Sequence, residues 1–433
     1  MLPLATVPPC LFEVLQACRG VFGVPGFATF VVLVVGALGA LGPRTITGIW
    51  AATGLAGRLH WSRAHRFFSQ TRWDPDILGL HLAHLAVTLF VAAGMPVTVA
   101  VDDTLFHRYG KLVHGVAWQH DGSAKGRDGI GRGNCFVVAG LVVTVPFMAR
   151  AVLLPILFRL YTPKDGPSKT EHARSMVNLL SRAFVDRRVH VVADALYRGP
   201  AWRALPGNVT FTTRLSCRSV LYAPPPPPSG RRGHPAWKGP RLGTASQVAA
   251  TATWREATVT RYGERGAVLL ADIRCLWWGS LHRSPVRLVL VRDLDGRRND
   301  LALITTDLDT PVEQIVERYC ARWSIEQTIK DGKELLGVGD AQNRLKLAVE
   351  RTVPFMMLTL TILVCWYARY GNAAADLAAR REQARWYHRK KTTISVTDML
   401  IAFRRARITS VHTGQVTPDL TNASTVTRTT AAA

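Results

Sequence analysis

Three acids carry the chemistry this sequence offers. Asp102 follows the β-branched run Val97-Thr98-Val99-Ala100-Val101, and Asp194 follows Val189-His190-Val191-Val192-Ala193. Both runs read as buried strands. An acid at the end of a buried strand is costly unless it is paired or binds a metal. In open α/β sheets that end is also where sites form. Glu326 lies downstream, in a stretch of helical periodicity over residues 319–333. If the two strands are neighbours, their carboxylates meet, and a helix crossing the same edge adds the third. No Cys or His pair stands at ligand spacing, so the set is one of hard oxygen donors suited to Mg²⁺ or Mn²⁺. Two such ions about 3.5–4 Å apart can activate a nucleophile and stabilise a leaving oxygen in phosphoryl transfer. Asp103 stands beside Asp102, and the sequence leaves open which of them is the first ligand.

The helix around Glu326 must present that acid among cations. At about 100° per residue, Tyr319, Arg322, Glu326, Lys330 and Lys333 fall in one stripe roughly 80° wide. Such cations can hold phosphates. Glu326 is also four residues from both Arg322 and Lys330, so an ordinary salt-bridged solvent face accounts for the same residues. Ile325, Ile329 and Leu336 lie to one side and are expected to anchor the helix. Thr310 and Glu313 predict a capping box at its start.

The whole chain biases the choice. It has 433 residues, with 54 Lys+Arg against 30 Asp+Glu and a net charge of +24. That length suffices for two or three domains, and that charge calls for a polyanion. Nucleic acid is the usual one, and an anionic membrane surface competes. The seven cysteines are scattered without metal-site spacing, which predicts buried free thiols in a reducing compartment and argues against a disulfide scaffold. No secretory leader is expected. Two apolar runs, residues 27–41 and 353–368, fall short of the ~20 residues a bilayer needs. They are expected as buried helices.

Residues 45–54 and 58–69 read as two short helices, the second basic, either a helix-turn-helix or a plain packed pair. Residues 111–118, 135–145 and 208–215 read as further strands and 168–187 as a helix, which makes a mixed sheet. The loop with Lys125, Gly126, Arg127, Gly129, Gly131, Arg132 and Gly133 is either a phosphate contact or a turn. Residues 224–228 are polyproline, followed by Arg231, Arg232, Lys238 and Arg241. Strand-like runs at 257–260, 267–278 and 286–292 make residues 217–299 a β-rich insertion that leaves the sheet, with a run at 301–306 as the return. Trp277 and Trp278 are expected in its core, with base stacking as the alternative. Residues 344–369 read as an apolar helix broken or kinked at Pro354. Arg380, Arg381, Arg385, Trp386, Tyr387, Arg389, Lys390 and Lys391 fit phosphate binding or a solvated helix equally.

The spacing Tyr319-x2-Arg322-x3-Glu326-x6-Lys333 resembles the tyrosine-arginine-glutamate-lysine signature of a branch of bacterial insertion-sequence transposases. These belong to the DDE superfamily and have a ribonuclease-H-like core. Asp102-x-Thr104 is similar to their first-aspartate motif and Asp194-Ala195-Leu196-Tyr197 to their second. The resemblance covers about residues 97–340. It implies that Asp102, Asp194 and Glu326 are catalytic and bind two Mg²⁺ (or Mn²⁺) ions. It implies that Tyr319, Arg322, Lys333 and the neighbouring Lys330 contact DNA, and that a homodimer brings two element ends together. A hairpin intermediate stays open, because no insertion tryptophan is assigned to support it.

The expected fold is α/β: a ribonuclease-H-like mixed sheet with flanking helices, interrupted by the β-rich insertion, plus a helical N-terminal DNA-binding domain. The expected divisions are 1–95, N-terminal domain; 96–216, first part of the core; 217–299, insertion; 300–370, second part of the core; 371–409, basic helices; and 410–433, a disordered tail. The expected activity is transposition on double-stranded DNA in the bacterial cytoplasm, at the nucleoid, without a membrane partner. An inactive or domesticated DNA-binding derivative is the alternative, and a basic membrane protein a further one.

Overall fold

The protein is described by a computed structural model covering residues 7–122, 129–216, 218–227, 234, 236–294, 300–383 and 390–413. Lys125, Arg127, Cys217, Arg231, Arg232, Arg385, Trp386, Tyr387, Arg389 and the tail from residue 414 lie outside the described residues.

Five helices open the chain: α1 (Pro9–Leu15), α2 (Val24–Gly39), α3 (Ile46–Ala52), α4 (Ser62–Ser69) and α5 (Pro75–Phe90). Pro25 sits in the first turn of α2, where its missing N–H costs nothing, and the apolar run behind it is buried. The α3 helix is capped by Thr45, whose hydroxyl accepts from the Gly48 amide at 3.0 Å. Residues 53–61 separate α3 from α4, too long a connection for a helix-turn-helix. The α4 helix turns Phe67 and Phe68 inward, where both meet Phe355 edge-on.

The strands form one mixed sheet. They are β1 (Val97–His107), β2 (Ala117–His120), β3 (Ile130–Val143), β4 (Val152–Tyr161), β5 (Val189–Ala193) and β6 (Val209–Arg214), with α6 (Lys169–Ala183) between β4 and β5. The core order is β4-β3-β1-β5-β6. The first three strands are antiparallel, and β5 and β6 run parallel to β1. This is the ribonuclease-H-like sheet expected. Three details differ. The β1 strand does not stop at Asp102; it continues to His107 along β3. Of the expected strand at 111–118 only residues 117 and 118 are extended, at the start of β2. The β4 strand was not anticipated, because its unbroken apolar run with Pro155 inside lacks strand alternation.

The insertion stays in the same sheet. It contributes β7 (Val220–Tyr222), β8 (Arg241–Thr244), α7 (Ala245–Thr251), β9 (Arg255–Arg261), β10 (Glu264–Leu276), α8 (Trp278–Leu281) and β11 (Pro285–Asp293), and β12 (Leu301–Thr305) rejoins β6. Trp277 is buried in the core as expected, while Trp278 and Tyr222 lie beneath Lys238.

The expected single helix around Glu326 is two: α9 (Val312–Ala321) and α10 (Ser324–Leu336), with Arg322 and Trp323 between them still in helical conformation. The capping box is absent. Pro311 is the N-cap, without a side-chain bond, and Glu313 pairs with Arg255 at 2.6 Å. Gly337, at φ 57°, ends α10 in the left-handed conformation that favours glycine. The chain closes with α11 (Lys346–Tyr370), α12 (Ala373–Gln383) and α13 (Val396–His412). Pro354 does not break α11, which is helical throughout. Among the described residues α11 alone is long and apolar enough to cross a membrane, and 89% of its most apolar window is buried against the rest of the fold.

Candidate active site

The parallel ladder between β1 and β5 ends on the pair Val101 and Ala193. Asp102 is the next residue of β1, and Asp194, still extended, is the first residue past β5, on neighbouring strands about 4.8 Å apart. Strand side chains alternate between faces, so Ala100 and Asp102 share one face of β1, and Val192 and Asp194 continue it on β5. Ile325 of α10 packs on that face, against Ala100, Val192 and Leu153. Thr328 of α10 donates to the Leu153 carbonyl at 2.9 Å. The helix is thereby pinned across the sheet, on the face that carries the two aspartates.

Arg322 connects the acids. Its Nη1 lies 3.2 Å from Asp102 Oδ2 and its Nη2 lies 3.4 Å from Glu326 Oε1. Asp102 Oδ1 accepts the Asp103 amide at 2.9 Å. Asp194 Oδ1 accepts the Leu196 amide at 2.8 Å, and the Asp194 carbonyl accepts the Thr213 hydroxyl at 2.7 Å. Burial pushes the Asp102 carboxyl up to about 7 against the pull of Arg322 and the Asp103 amide; the charges of Asp194 and Asp103 add to the push. Arg322 is disfavoured by burial, yet Tyr319, Asp102, Glu326 and Asp194 together hold it above the usual arginine range.

The other stripe residues separate. Tyr319 is buried in the cluster between α9 and strands β9–β12, 5.8 Å beneath the Arg322 guanidinium. Lys333 turns inward and donates to the Leu105 carbonyl at 3.0 Å. Lys330 and Glu326 are exposed. The expected continuous stripe is therefore split into a buried part and an exposed part. Elsewhere, Arg132 is committed to the carbonyls of Arg108 and Gly110, and Arg380 and Lys391 pair with Asp398.

Asp102 and Asp103 lie on opposite faces of β1. Asp103 points to the opposite face, where it meets Lys169, Tyr197 and Cys135. Lys169 was missed from the sequence; its signal was a lysine in the first turn of a capped helix, where the dipole disfavours a cation.

Among the described residues no three His, Cys, Asp or Glu side chains converge on one point as metal ligands. The donor chemistry fits Mg²⁺ or Mn²⁺ all the same. Mg²⁺ commonly binds through one or two carboxylates plus water and substrate phosphate. Asp102 is half-buried near Asp194, with Arg322 as its cationic partner. Glu326 reaches the same guanidinium at 3.4 Å.

Asp102 and Asp194 sit at the switch from antiparallel to parallel pairing of a ribonuclease-H-like sheet. Residues 26–267 match the DDE superfamily endonuclease family, and the chain belongs to that family. The matched stretch contains Asp102 and Asp194 and ends before Glu326. No curated protein matches the chain. Among solved structures, a piggyBac transposase synaptic complex with hairpin DNA is similar at 11% identity and a TM-score of 0.38, over 95% of this chain and 78% of that one.

Proposed function

We propose that the protein is a DNA transposase that cuts at the terminal inverted repeats of an insertion sequence and joins the freed 3′-hydroxyl ends to target DNA. The observation that carries this is the placement of Asp102 and Asp194 directly beyond the last pair of the β1–β5 ladder, with Arg322 pairing to both Asp102 and Glu326. Family membership and the +24 charge support it.

Asp102 and Asp194, with Glu326, are the residues to hold divalent cations, which supply Lewis-acid polarisation of the phosphodiester when bound. Arg322, now bridging Asp102 and Glu326, is the group to exchange a carboxylate for a DNA phosphate. Lys330, exposed on the same helix, adds charge toward the backbone. Tyr319 and Lys333 support the site from inside, through the Arg322 stack and the β1 carbonyl. In the first step water adds to phosphorus and the 3′-oxygen leaves with a proton. In the second that 3′-hydroxyl attacks a target phosphodiester, and one P–O bond forms for each broken. A homodimer on DNA is the expected working unit.

The test is Mg²⁺-dependent cleavage of a labelled duplex carrying the repeats that flank the reading frame, comparing wild type with Glu326→Gln. Cutting by wild type alone supports the proposal. Binding without cutting by both moves the chain to an inactive, DNA-binding role.

A further inference from the structure

The face of β1 opposite the site carries a second set of buried polar groups. Asp103 Oδ2 lies 2.5 Å from Lys169 Nζ and accepts from Cys135 Sγ at 3.4 Å. Asp103 Oδ1 accepts the Tyr197 hydroxyl at 3.1 Å. Tyr197 is fully buried and ends the short 3₁₀ turn Ala195–Tyr197 for which Asp194 is the N-cap. Its carbonyl accepts the Trp202 indole N–H at 2.5 Å, and Trp202 stacks on Phe211 of β6 with ring centroids 3.9 Å apart. The turn bearing Asp194 is thus tied through the far face of the sheet to the residue beside Asp102.

Stability is a poor reason for this arrangement. A buried ion pair is often replaceable by apolar residues without loss. Lys169 also sits in the first turn of α6, where the helix dipole opposes its charge. What the arrangement does is fix the turn that follows β5 against β1 at the site's edge, just past the last ladder pair.

We infer that Asp103, Tyr197 and Lys169 are positioning residues that set the separation of the Asp102 and Asp194 carboxylates for divalent-cation binding. The inference rests on the reading of those two acids as cation ligands. The Tyr197 hydroxyl holds the turn down onto Asp103, and Lys169 fixes the orientation of the Asp103 carboxylate that accepts it. Groups that support metal ligands in this way typically carry about 10–100-fold in metal affinity.

Tyr197→Phe removes one hydroxyl and keeps the ring packing. Mn²⁺ affinity of the full-length variant is measured by calorimetry, with the metal-free melting midpoint beside it. A loss of about 10-fold in Mn²⁺ affinity in protein that remains folded is expected. Asp103→Asn, should Tyr197→Phe not fold, is expected to shift affinity in the same direction. A purely structural role would lower the midpoint and leave the affinity of the folded protein unchanged; wild-type affinity in the folded variant overturns the inference. Asp102→Asn and Asp194→Asn are the controls. If both abolish Mn²⁺ binding while Tyr197→Phe binds normally, the positioning role alone fails. If binding survives both, the ligand reading fails and this inference with it.

Discussion

Val101 and Ala193 are the last partners of the parallel ladder between β1 and β5, and the carboxylates that follow them are forced together by that register. Asp102 bears the consequence. Its carboxyl, ordinarily near 3.8, is pushed up to about 7, chiefly by burial. The folded state therefore keeps a proton that the unfolded chain has lost, and metal-free stability falls as pH rises from about 3.8 to about 7. Asp102→Asn is expected to stabilise the metal-free protein at pH 8 by about 1–3 kcal/mol. Denaturant titration checks it; a destabilised variant contradicts the assignment.

The same shift makes cation binding compete with a proton. Below about pH 7, Mn²⁺ affinity should weaken by roughly tenfold per pH unit, and above it level off. Calorimetry at pH 6, 7 and 8 measures this. A profile flat across that range would mean that Asp102 is not a ligand.

Arg322 is the counter-ion of the acids in the absence of metal, reaching Asp102 at 3.2 Å and Glu326 at 3.4 Å. Arg322→Ala leaves a half-buried carboxylate without its partner, at an expected cost of about 2–4 kcal/mol. Mg²⁺ should then raise the melting midpoint of the variant more than that of wild type, since no guanidinium competes for the site. An equal Mg²⁺ response in both proteins would count against that competition.

A second titration lies at the other end of β5. His190 is buried, with Nδ1 2.6 Å from the Thr210 hydroxyl and 3.6 Å from Asp307. Burial, reinforced by Arg318, lowers it from 6.5 to about 4. The unfolded chain takes up the proton first, so stability falls as pH drops through this window, by about 2 kcal/mol between pH 7 and 5. Asp307 acts lower. Burial opposes its ionisation, but bonds from Arg318 and Thr310 hold it at about 2, so its contribution persists until the pH falls below about 3.8 and is gone below about 2. Chemical denaturation of wild type and His190→Asn separates the two: the substitution should abolish the slope between pH 7 and 5 and keep the acid limb.

The α5 helix rests on β4 through a glycine. A Cβ at Gly79 would stand 1.9 Å from the Ile156 carbonyl oxygen, a backbone atom that cannot step aside. Gly79→Ala should cost more than about 2 kcal/mol despite the better helix propensity of alanine. A thermal melt showing no loss would mean that α5 does not seat there.

The local residue pattern determined much of this protein. Runs of β-branched residues marked β1, β5 and β6, and the acids that end the first two runs, because strand propensity and the cost of a buried carboxylate are local properties. The Ile325 and Leu336 face of α10 was legible for the same reason. Only the tertiary structure decided the rest. Which of Asp102 and Asp103 faces the site depends on which helix covers each face of β1, a contact made by residues more than 60 positions away. The stripe around Glu326 broke because Tyr319 is claimed by the cluster between α9 and the inserted strands, and Lys333 by the Leu105 carbonyl. Pro354 left α11 unbroken because packing on every side outweighs one missing hydrogen bond. Periodicity records where a residue can point; partners distant in sequence decide what it meets.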